Sequence, residues 1–210
     1  MYTLYYSPGA ASLVVHWMLI ELNAPHTLKA LDMQAGEQKS PEYLKLNPSG
    51  VVPTLLIDGV PVSEAAGLVI HLADAYPNAG FAPKVATVER AKYYQWMFHL
   101  ANVLQPLFRQ WFYAQEVAGQ DHADAVKEVS GARIEAVWDR IDAHLAANGP
   151  YLLGDNISAA DFHLTMLMRW SRNMPKQALN WPHLAALAEK MKARPSFKAL
   201  YEREQLTEWA

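Results

Sequence analysis

Cysteine is missing from the whole chain of 210 residues. This absence excludes disulfide frameworks, zinc sites built from thiolates and redox chemistry of the CxxC type. We therefore expect no bound metal. If a thiol takes part in the chemistry of this protein, a bound ligand must supply it.

Long apolar runs and an excess of basic residues are missing as well. A membrane-spanning helix needs about 20 consecutive apolar residues, whereas the stretch from Leu13 to Ile20 is short and contains His16. The formal net charge is -3, and proteins that bind nucleic acid usually carry a basic patch. The first basic side chain is Lys29, so the basic start of a secretory signal is absent. The sequence predicts a cytoplasmic protein that binds neither nucleic acid nor a membrane.

The residues that are present divide the chain into two parts. Residues 1–83 contain eight of the 13 prolines and alternate short strand-like and helical segments. The pattern predicts the order β-α-β, an irregular link, and β-β-α. This order gives a parallel pair across the first helix and an antiparallel hairpin at Asp58-Gly59. The predicted strands are 2–6, 26–31, 54–57 and 60–62, and the predicted helices are 11–22 and a segment from an N-cap at Ser63 to about Tyr76.

From Thr87 onward nothing resembles a strand, and six of the seven tryptophans lie there. One predicted helix carries apolar residues at helical spacing on a single face, namely Tyr93, Met97, Leu100, Leu104 and Phe108. The sequence predicts an α/β domain with a mixed four-stranded sheet at 1–77, a linker at 78–86 and an all-helical bundle domain at 87–210.

The loop from Ser7 to Ser12, between the first strand and the first helix, is the first candidate binding feature. Pro8 and Gly9 end the strand, and Ser12 falls in the first turn of the helix. Unpaired N–H groups and the positive end of the helix dipole favour an anion at such a place, where a serine hydroxyl can donate to a thiolate. The alternative is that Ser12 only caps the helix, as serine often does.

The segment Asn47 to Leu55, which reads NPSGVVPTL, is the second feature. Pro53 stands at the start of an apolar strand, where a proline costs no ladder hydrogen bond. We predict a cis Val52–Pro53 bond, with the N–H and C=O of Val52 free to pair with the backbone of a peptide ligand. The alternative is a trans proline at a strand start, since only about 5% of X–Pro bonds are cis.

Ser63, Glu64 and Ala65 form the third feature at the start of the next helix. Backbone amides there can hold a carboxylate, while the Glu64 side chain can pair with an ammonium group. The α-carboxylate and α-amino groups of an amino acid would then be bound together. The alternative is a serine N-cap followed by a first-turn glutamate, which the helix dipole favours in any case.

The order and spacing of these three features resemble the cytosolic glutathione transferases. The Ser-Pro-Gly loop, the Asn-Pro-x-Gly-x-Val-Pro-x-Leu run and the Ser-Glu helix start are similar to the thioredoxin-like domain of that family. The segment from Leu153 to Asp161 is similar to the family's buried capping segment, in which Ser158 caps a helix and Asp161 reaches back. The resemblance spans nearly the whole chain, and its first loop is closest to the bacterial beta class.

This resemblance implies a thioredoxin-like domain that binds glutathione as a co-substrate, and a helical domain that receives a small hydrophobic electrophile for detoxification. It also implies a homodimer. Ser12 and Tyr6 are the two candidates for holding the thiolate, and we favour Ser12 because the helix terminus lies behind it. The implied glutathione-binding residues are Ala11, Lys39, Val52, Pro53, Glu64 and Ala65, and the implied electrophile pocket consists of Gln105, Phe108, Arg109, Trp111 and Phe112.

Three residues depart from the family pattern. The beta class usually has cysteine at the position of Ala11 and histidine at the position of Gln105. Without that cysteine the class's mixed disulfide with glutathione is lost, so disulfide-reductase and dehydroascorbate-reductase activities are not expected. Ala65 stands where many members have serine, which keeps the backbone N–H but removes a hydroxyl.

Two other functions fit the same fold, because a fold does not fix a function. One is a non-catalytic member that binds glutathione, apolar ligands or partner proteins. The other is a glutathione-dependent isomerase or dehalogenase. The aromatic cluster after Pro106 also has an alternative reading, since aromatic residues at helical spacing often form core. Pro106 itself is expected to kink its helix.

Overall fold

The computed structural model describes residues 1–209. Within them the chain forms two compact units. Among the described residues, the first unit combines residues 1–82 with residues 192–209, and the second consists of residues 83–191.

The first unit contains the predicted mixed sheet of four strands. The strand order is β2-β1-β3-β4, with β1 parallel to β2 and antiparallel to β3, and β3 antiparallel to β4. The α/β part of the predicted fold is therefore confirmed. The strands are β1 (Tyr2–Tyr6), β2 (His26–Ala30), β3 (Thr54–Ile57) and β4 (Val60–Ser63).

Helix α1 (Ser12–Glu21) crosses between the two parallel strands and lies in the core of this unit. Eight of its ten residues are buried, from Ser12 to Leu19. The helix is apolar almost all round because it packs against β1, α3 (Ala65–Ala75) and α10 (Pro195–Glu204). A short helix, α2 (Pro41–Leu44), precedes the loop that leads to β3.

Helix α10 belongs to the first unit, whereas the sequence prediction assigned the whole range 87–210 to the helical domain. The reason is a set of long-range contacts with α1. The Trp17 indole N–H donates to Ser196 Oγ at 2.9 Å, and Arg194 forms an ion pair with Glu21. A local sequence pattern does not indicate these contacts, because the paired residues lie about 180 positions apart in the chain.

The second unit is built from helices, as predicted. The five residues predicted to share one helix face are each 0% exposed, namely Tyr93, Met97, Leu100, Leu104 and Phe108. A π-helical turn at Leu100–Leu104 follows α4, and Pro106 is the second residue of α5, so the helix is interrupted close to the proline that was expected to kink it. The helices are α4 (Val88–His99), α5 (Gln105–Phe112), α6 (Ala114–Ala118), α7 (Ala123–Asn148), α8 (Ala159–Trp170) and α9 (Pro182–Lys192), the last of which ends at the boundary between the units.

The start of α8 has the predicted capping arrangement. The buried Asp161 carboxylate accepts hydrogen bonds from the Ser158 N–H at 2.7 Å and from the Leu152 N–H at 2.9 Å. This fixes the segment before α8 and leaves Asp161 with a structural role. Among residues 1–209, no helix has the length and apolar character needed to cross a membrane.

Candidate functional site

The loop between β1 and α1 is held in place by a hydrogen bond to α10. Gly9, at φ 70°, donates its N–H to the Glu204 carboxylate at 2.8 Å. The other oxygen of Glu204 accepts from His16 Nδ1 at 2.7 Å, and both side chains are fully buried. No local sequence signal indicates Glu204, because its two partners lie almost 200 positions away.

The N–H groups at the start of α1 are available to a ligand. Ala11 occupies the N-cap position without a side-chain cap, and Ser12 is the first helical residue. The N–H groups of both residues have no recorded acceptor within residues 1–209. A helix start with unpaired amides is an anion site by its chemistry.

The Ser12 side chain is enclosed. It is 0% exposed, its hydroxyl donates to the Ser7 C=O at 3.1 Å, and it accepts from the Ser7 N–H at 3.2 Å. The hydroxyl thus shapes the loop and does not cap the helix, because Ala11 occupies the N-cap position. Contact between Ser12 and a thiolate stays a prediction, and it requires the hydroxyl to turn away from Ser7.

Tyr6, the other candidate hydroxyl, is half-buried at the end of β1. Its ring lies 5.7 Å from the His16 ring. Burial is the main cause that raises the pKa of Tyr6 above its usual value, and the negative charge of Glu204 is the second cause. The same carboxylate accepts from the Gly9 N–H in the loop that leads to Ser12, so its charge does not distinguish the two candidate hydroxyls.

The Val52–Pro53 bond is cis, as predicted. The loop before it is held by two side chains that the sequence analysis did not single out. The Tyr43 hydroxyl and the Asn47 amide both donate to the Val51 C=O, at 2.7 and 2.8 Å. The Val52 side chain is buried, and its backbone N–H and C=O have no recorded partner within residues 1–209.

Lys39 lies beside the same loop. Its side chain is exposed, and its ammonium donates to the Ser49 C=O at 3.2 Å. Gly50, at φ 60°, is required here, because a Cβ atom would stand 2.7 Å from Lys39 Nζ and 2.9 Å from the Gln38 carbonyl oxygen. Because the Lys39 ammonium lies this close to Gly50, its remaining N–H donors lie next to the loop that leads to the cis Val52–Pro53 bond.

Glu64, not Ser63, occupies the N-cap position of α3, because Ser63 is the last residue of β4. Glu64 has φ 75° and ψ 100°, a conformation outside the regions that L-residues favour. Strained backbone of this kind persists where the surrounding structure enforces it, and it clusters at ligand sites. The N–H groups of Ala65 and Ala66 have no recorded acceptor within residues 1–209, and the Glu64 side chain is exposed beside them.

The predicted electrophile residues lie on the helical unit and differ in exposure. Phe108 is 0% exposed and packs on the rings of Trp138 and Trp170, so it is a core residue, which is the alternative reading of the aromatic cluster. Phe112 is 37% exposed, and Trp111 is half-buried.

Arg109 and Gln105 complete the predicted set. The exposed Arg109 guanidinium pairs with Glu116 and lies 3.9 Å from the centre of the Tyr113 ring. Gln105 is half-buried, and its side-chain oxygen lies 2.9 Å from His163 Nε2. Within residues 1–209, no group of three or more potential ligand side chains is arranged to hold a metal ion.

Both parts of the chain match known families. Residues 10–75 match the family model described as glutathione S-transferase, N-terminal domain, and residues 101–204 match glutathione S-transferase, C-terminal domain. A glutathione S-transferase of Xanthomonas campestris is 31% identical over 209 residues, which are 97% of this chain and 98% of that protein.

Solved structures agree with these matches. A glutathione transferase homologue from Sulfitobacter, crystallised with bound glutathione, has a TM-score of 0.90 at 26% identity and covers 98% of this chain and 99% of its own. The bacterial beta class glutathione S-transferase of Sphingomonas chungbukensis has a TM-score of 0.86 at 26% identity, with 98% and 100% covered. With both domains matched in order and almost the whole length aligned to a relative at 31% identity, the chain belongs to the glutathione S-transferase family.

Proposed function

We propose that this protein conjugates the thiolate of glutathione to small hydrophobic electrophiles. The observation that carries the proposal is a set of three unpaired backbone positions in the first unit. They are the amides of Ala11 and Ser12, the N–H and C=O of Val52, and the amides at the start of α3 beside Glu64. Glutathione presents a thiol, a peptide backbone and an amino-acid end, one for each position.

The peptide part of glutathione would be bound by main-chain pairing. The central residue would exchange hydrogen bonds with the backbone of Val52, beside Pro53, in the manner of an added strand. The carboxylate of the γ-glutamyl end would accept from the amides of Ala65 and Ala66, while its ammonium would pair with Glu64. The ammonium of Lys39 would attract the carboxylate at the glycine end.

The thiol would lie at the start of α1. An ordinary thiol has a pKa of about 8.5, and only the thiolate is a good nucleophile. The unpaired amides of Ala11 and Ser12 and the dipole of α1 stabilise an anion there. The Ser12 hydroxyl, once turned from the neutral Ser7 carbonyl to the charged sulfur, would add a charge-assisted hydrogen bond.

The electrophile would use the exposed aromatic side of α5. Phe112 and Trp111 offer apolar area there, and Arg109 would attract an anionic substrate by exchanging its ion pair with Glu116. Ala11 supports a transferase over a disulfide reductase, since no protein thiol is present to form a mixed disulfide.

A glutathione-affinity column followed by an electrophile panel tests this proposal. We expect the purified protein to be retained, to be eluted by free glutathione, and to form thioether products with apolar electrophiles. Retention without any product would favour the non-catalytic binding member instead. Products of isomerisation or dehalogenation alone would favour the other alternative, and failure to be retained would contradict the proposal.

A further inference from the structure

Tyr43 and Asn47 form a buried network around one backbone carbonyl of the first unit. Tyr43 lies on α2 and Asn47 follows that helix, and each residue is 3% exposed. The Tyr43 hydroxyl and the Asn47 side-chain nitrogen lie 2.7 and 2.8 Å from the Val51 carbonyl oxygen. A carbonyl oxygen has two lone pairs, so these two donors occupy its whole hydrogen-bonding capacity.

The other partners of this network fix the direction of its hydrogen bonds. The Asn47 side-chain oxygen accepts from the Ser49 N–H at 3.1 Å, which leaves the side-chain nitrogen for Val51. The Tyr43 hydroxyl also lies 2.7 Å from Thr54 Oγ1, and Thr54 is 0% exposed. Because the phenol donates its single hydrogen to Val51, the Thr54 hydroxyl donates to the phenol oxygen. Burial raises the pKa of Tyr43 above its usual value, so the phenol keeps that hydrogen at ordinary pH.

The peptide unit between Val51 and Val52 is the group that this network holds. The bond is trans, so the Val51 C=O and the Val52 N–H lie in one plane and point in opposite directions. One donor fixes the position of the carbonyl oxygen, and a second donor from another residue also restricts rotation of the plane. The Val52 N–H has no recorded acceptor within residues 1–209, and it points away from both donors. The network thus directs one unpaired N–H along a fixed line.

We infer that Tyr43 is a positioning residue that directs the Val52 N–H at the cysteinyl carbonyl of glutathione, and that the site thereby selects thiols with a peptide carbonyl at this position. This rests on the proposed function. The Tyr43 hydroxyl acts on the ligand only through the peptide plane that it holds. Hydrogen bonds at the carbonyl oxygen also polarise the peptide unit and strengthen its N–H as a donor.

This role predicts a separation between binding and turnover. The pairing of Val52 with the ligand backbone is made equally before and during the reaction at sulfur. Losing part of such an interaction raises KM and leaves kcat unchanged. A Tyr43 variant should therefore bind glutathione more weakly and still turn over at the normal rate once it is saturated.

γ-Glutamylcysteamine is the matched ligand for the test. It has the thiol, the amide N–H beside it and the γ-glutamyl end of glutathione, but it lacks the cysteinyl carbonyl and the glycine. Without that carbonyl the ligand has nothing to accept a hydrogen bond from the Val52 N–H. Its binding should therefore not depend on Tyr43.

Tyr43→Phe removes the hydroxyl at nearly constant shape. The dissociation constant for glutathione, from isothermal calorimetry, should rise about three- to ten-fold, the range of one neutral hydrogen bond. The constant for γ-glutamylcysteamine, from competition with glutathione, and kcat at saturating glutathione should change by less than about two-fold. Tyr5→Phe is the control, because the Tyr5 ring lies 5.6 Å from the Tyr43 ring while its hydroxyl accepts from Lys29 at 3.2 Å. The control should leave both affinities unchanged.

A double variant separates positioning from stability. Tyr43→Phe deprives the buried Thr54 hydroxyl of its partner, which lowers stability. Combining Tyr43→Phe with Thr54→Val replaces both partners by apolar groups of similar shape, and should recover much of the lost unfolding temperature. Its affinity for glutathione should stay as low as in Tyr43→Phe, because the Val51 carbonyl still lacks one donor. The double variant also carries the test if Tyr43→Phe alone does not fold.

Three results would each overturn the inference and leave the proposed function intact. They are an unchanged glutathione affinity in folded Tyr43→Phe, an equal loss for both ligands, and an affinity that returns together with stability in the double variant. If the wild type binds γ-glutamylcysteamine too weakly for a constant, hydrogen exchange of the Val52 amide replaces that comparison. Saturating glutathione should slow this exchange more in the wild type than in Tyr43→Phe, and equal slowing would overturn the inference. A wild-type protein that does not bind glutathione would overturn the proposed function and the inference together.

Discussion

Ser12 and Tyr6 are the two hydroxyl side chains proposed to hold the glutathione thiolate, and their surroundings differ. Ser12 follows unpaired amides at a helix start, although its hydroxyl is bonded to Ser7. The pKa of Tyr6 is raised by burial and, to a smaller extent, by the negative charge of Glu204. At the scale of single residues, we favour Ser12 because unpaired amides and the helix dipole lie beside it, and its contact with a thiolate requires one hydroxyl rotation.

The first prediction compares Ser12→Ala with Tyr6→Phe. Ser12→Ala should raise the pKa that governs kcat by about one to two units, because a charge-assisted hydrogen bond is worth roughly 1.5–3 kcal/mol. Tyr6→Phe should leave that pKa unchanged. The measurement is the pH profile of kcat with saturating glutathione. If Ser12→Ala changes only the thermal unfolding temperature, Ser12 shapes the loop and the amides alone hold the sulfur.

The second prediction concerns Glu64, whose backbone is strained and which we propose to hold the γ-glutamyl end of glutathione. Glu64→Ala should weaken glutathione binding by about ten-fold or more, since it removes a charged partner of the ammonium group. Isothermal calorimetry gives the affinity directly. Glu128→Ala, which removes an exposed carboxylate on α7, serves as the matched control. An unchanged affinity in Glu64→Ala would remove this residue from the site.

At the scale of elements, local patterns predicted most of the first unit. The strands β1 and β3 were predicted with the bounds that the structure has, and the hairpin between β3 and β4 follows from Asp58-Gly59. The N-cap of α3 was misplaced by one residue, because serine is a common cap and the positive φ of Glu64 leaves no compositional sign.

Long-range pairs account for the elements that the sequence did not explain. The assignment of α10 depends on Trp17 with Ser196, and the support of the first loop depends on Glu204. The hydrogen bonds that Tyr43 forms with Val51 and His163 forms with Gln105 likewise join different segments of the chain. None of these contacts leaves a periodic or compositional trace, since each joins residues through the fold alone.

Helix α8 supplies the third prediction, because burial moves the pKa values of two of its side chains in opposite directions. His163 has its pKa lowered to about 4, so the unfolded chain takes up a proton first as the pH falls from 6.5. This linkage costs stability progressively between those two pH values. Asp161 has its pKa raised to about 6, chiefly by burial, and its protonation in the folded state acts in the opposite sense below that pH.

A difference measurement isolates the histidine. The free energy of unfolding from urea titrations should fall less steeply with acid in His163→Gln than in the wild type, between pH 6.5 and about 4. Asp161 is common to both proteins and cancels in the comparison. Parallel pH dependences would show that His163 does not titrate differently on folding.

At the scale of the whole molecule, we propose a homodimer, because the resemblance to the family implies one. The exposed large apolar side chains Val60 and Val62 on β4, the edge strand of the sheet, are consistent with a surface that a second copy covers. Light scattering should give twice the chain mass of 23.6 kDa over a range of concentrations. A mass of one chain throughout that range would exclude the dimer.

We propose that this chain without cysteine binds glutathione and activates its thiol through unpaired backbone groups of the first unit. The ultraviolet absorbance of the thiolate, followed against pH with the wild-type protein saturated by glutathione, tests this proposal. We expect a thiol pKa at least about one unit below the ordinary value near 8.5. A bound thiol that titrates like free glutathione, or the absence of saturable binding, would contradict it.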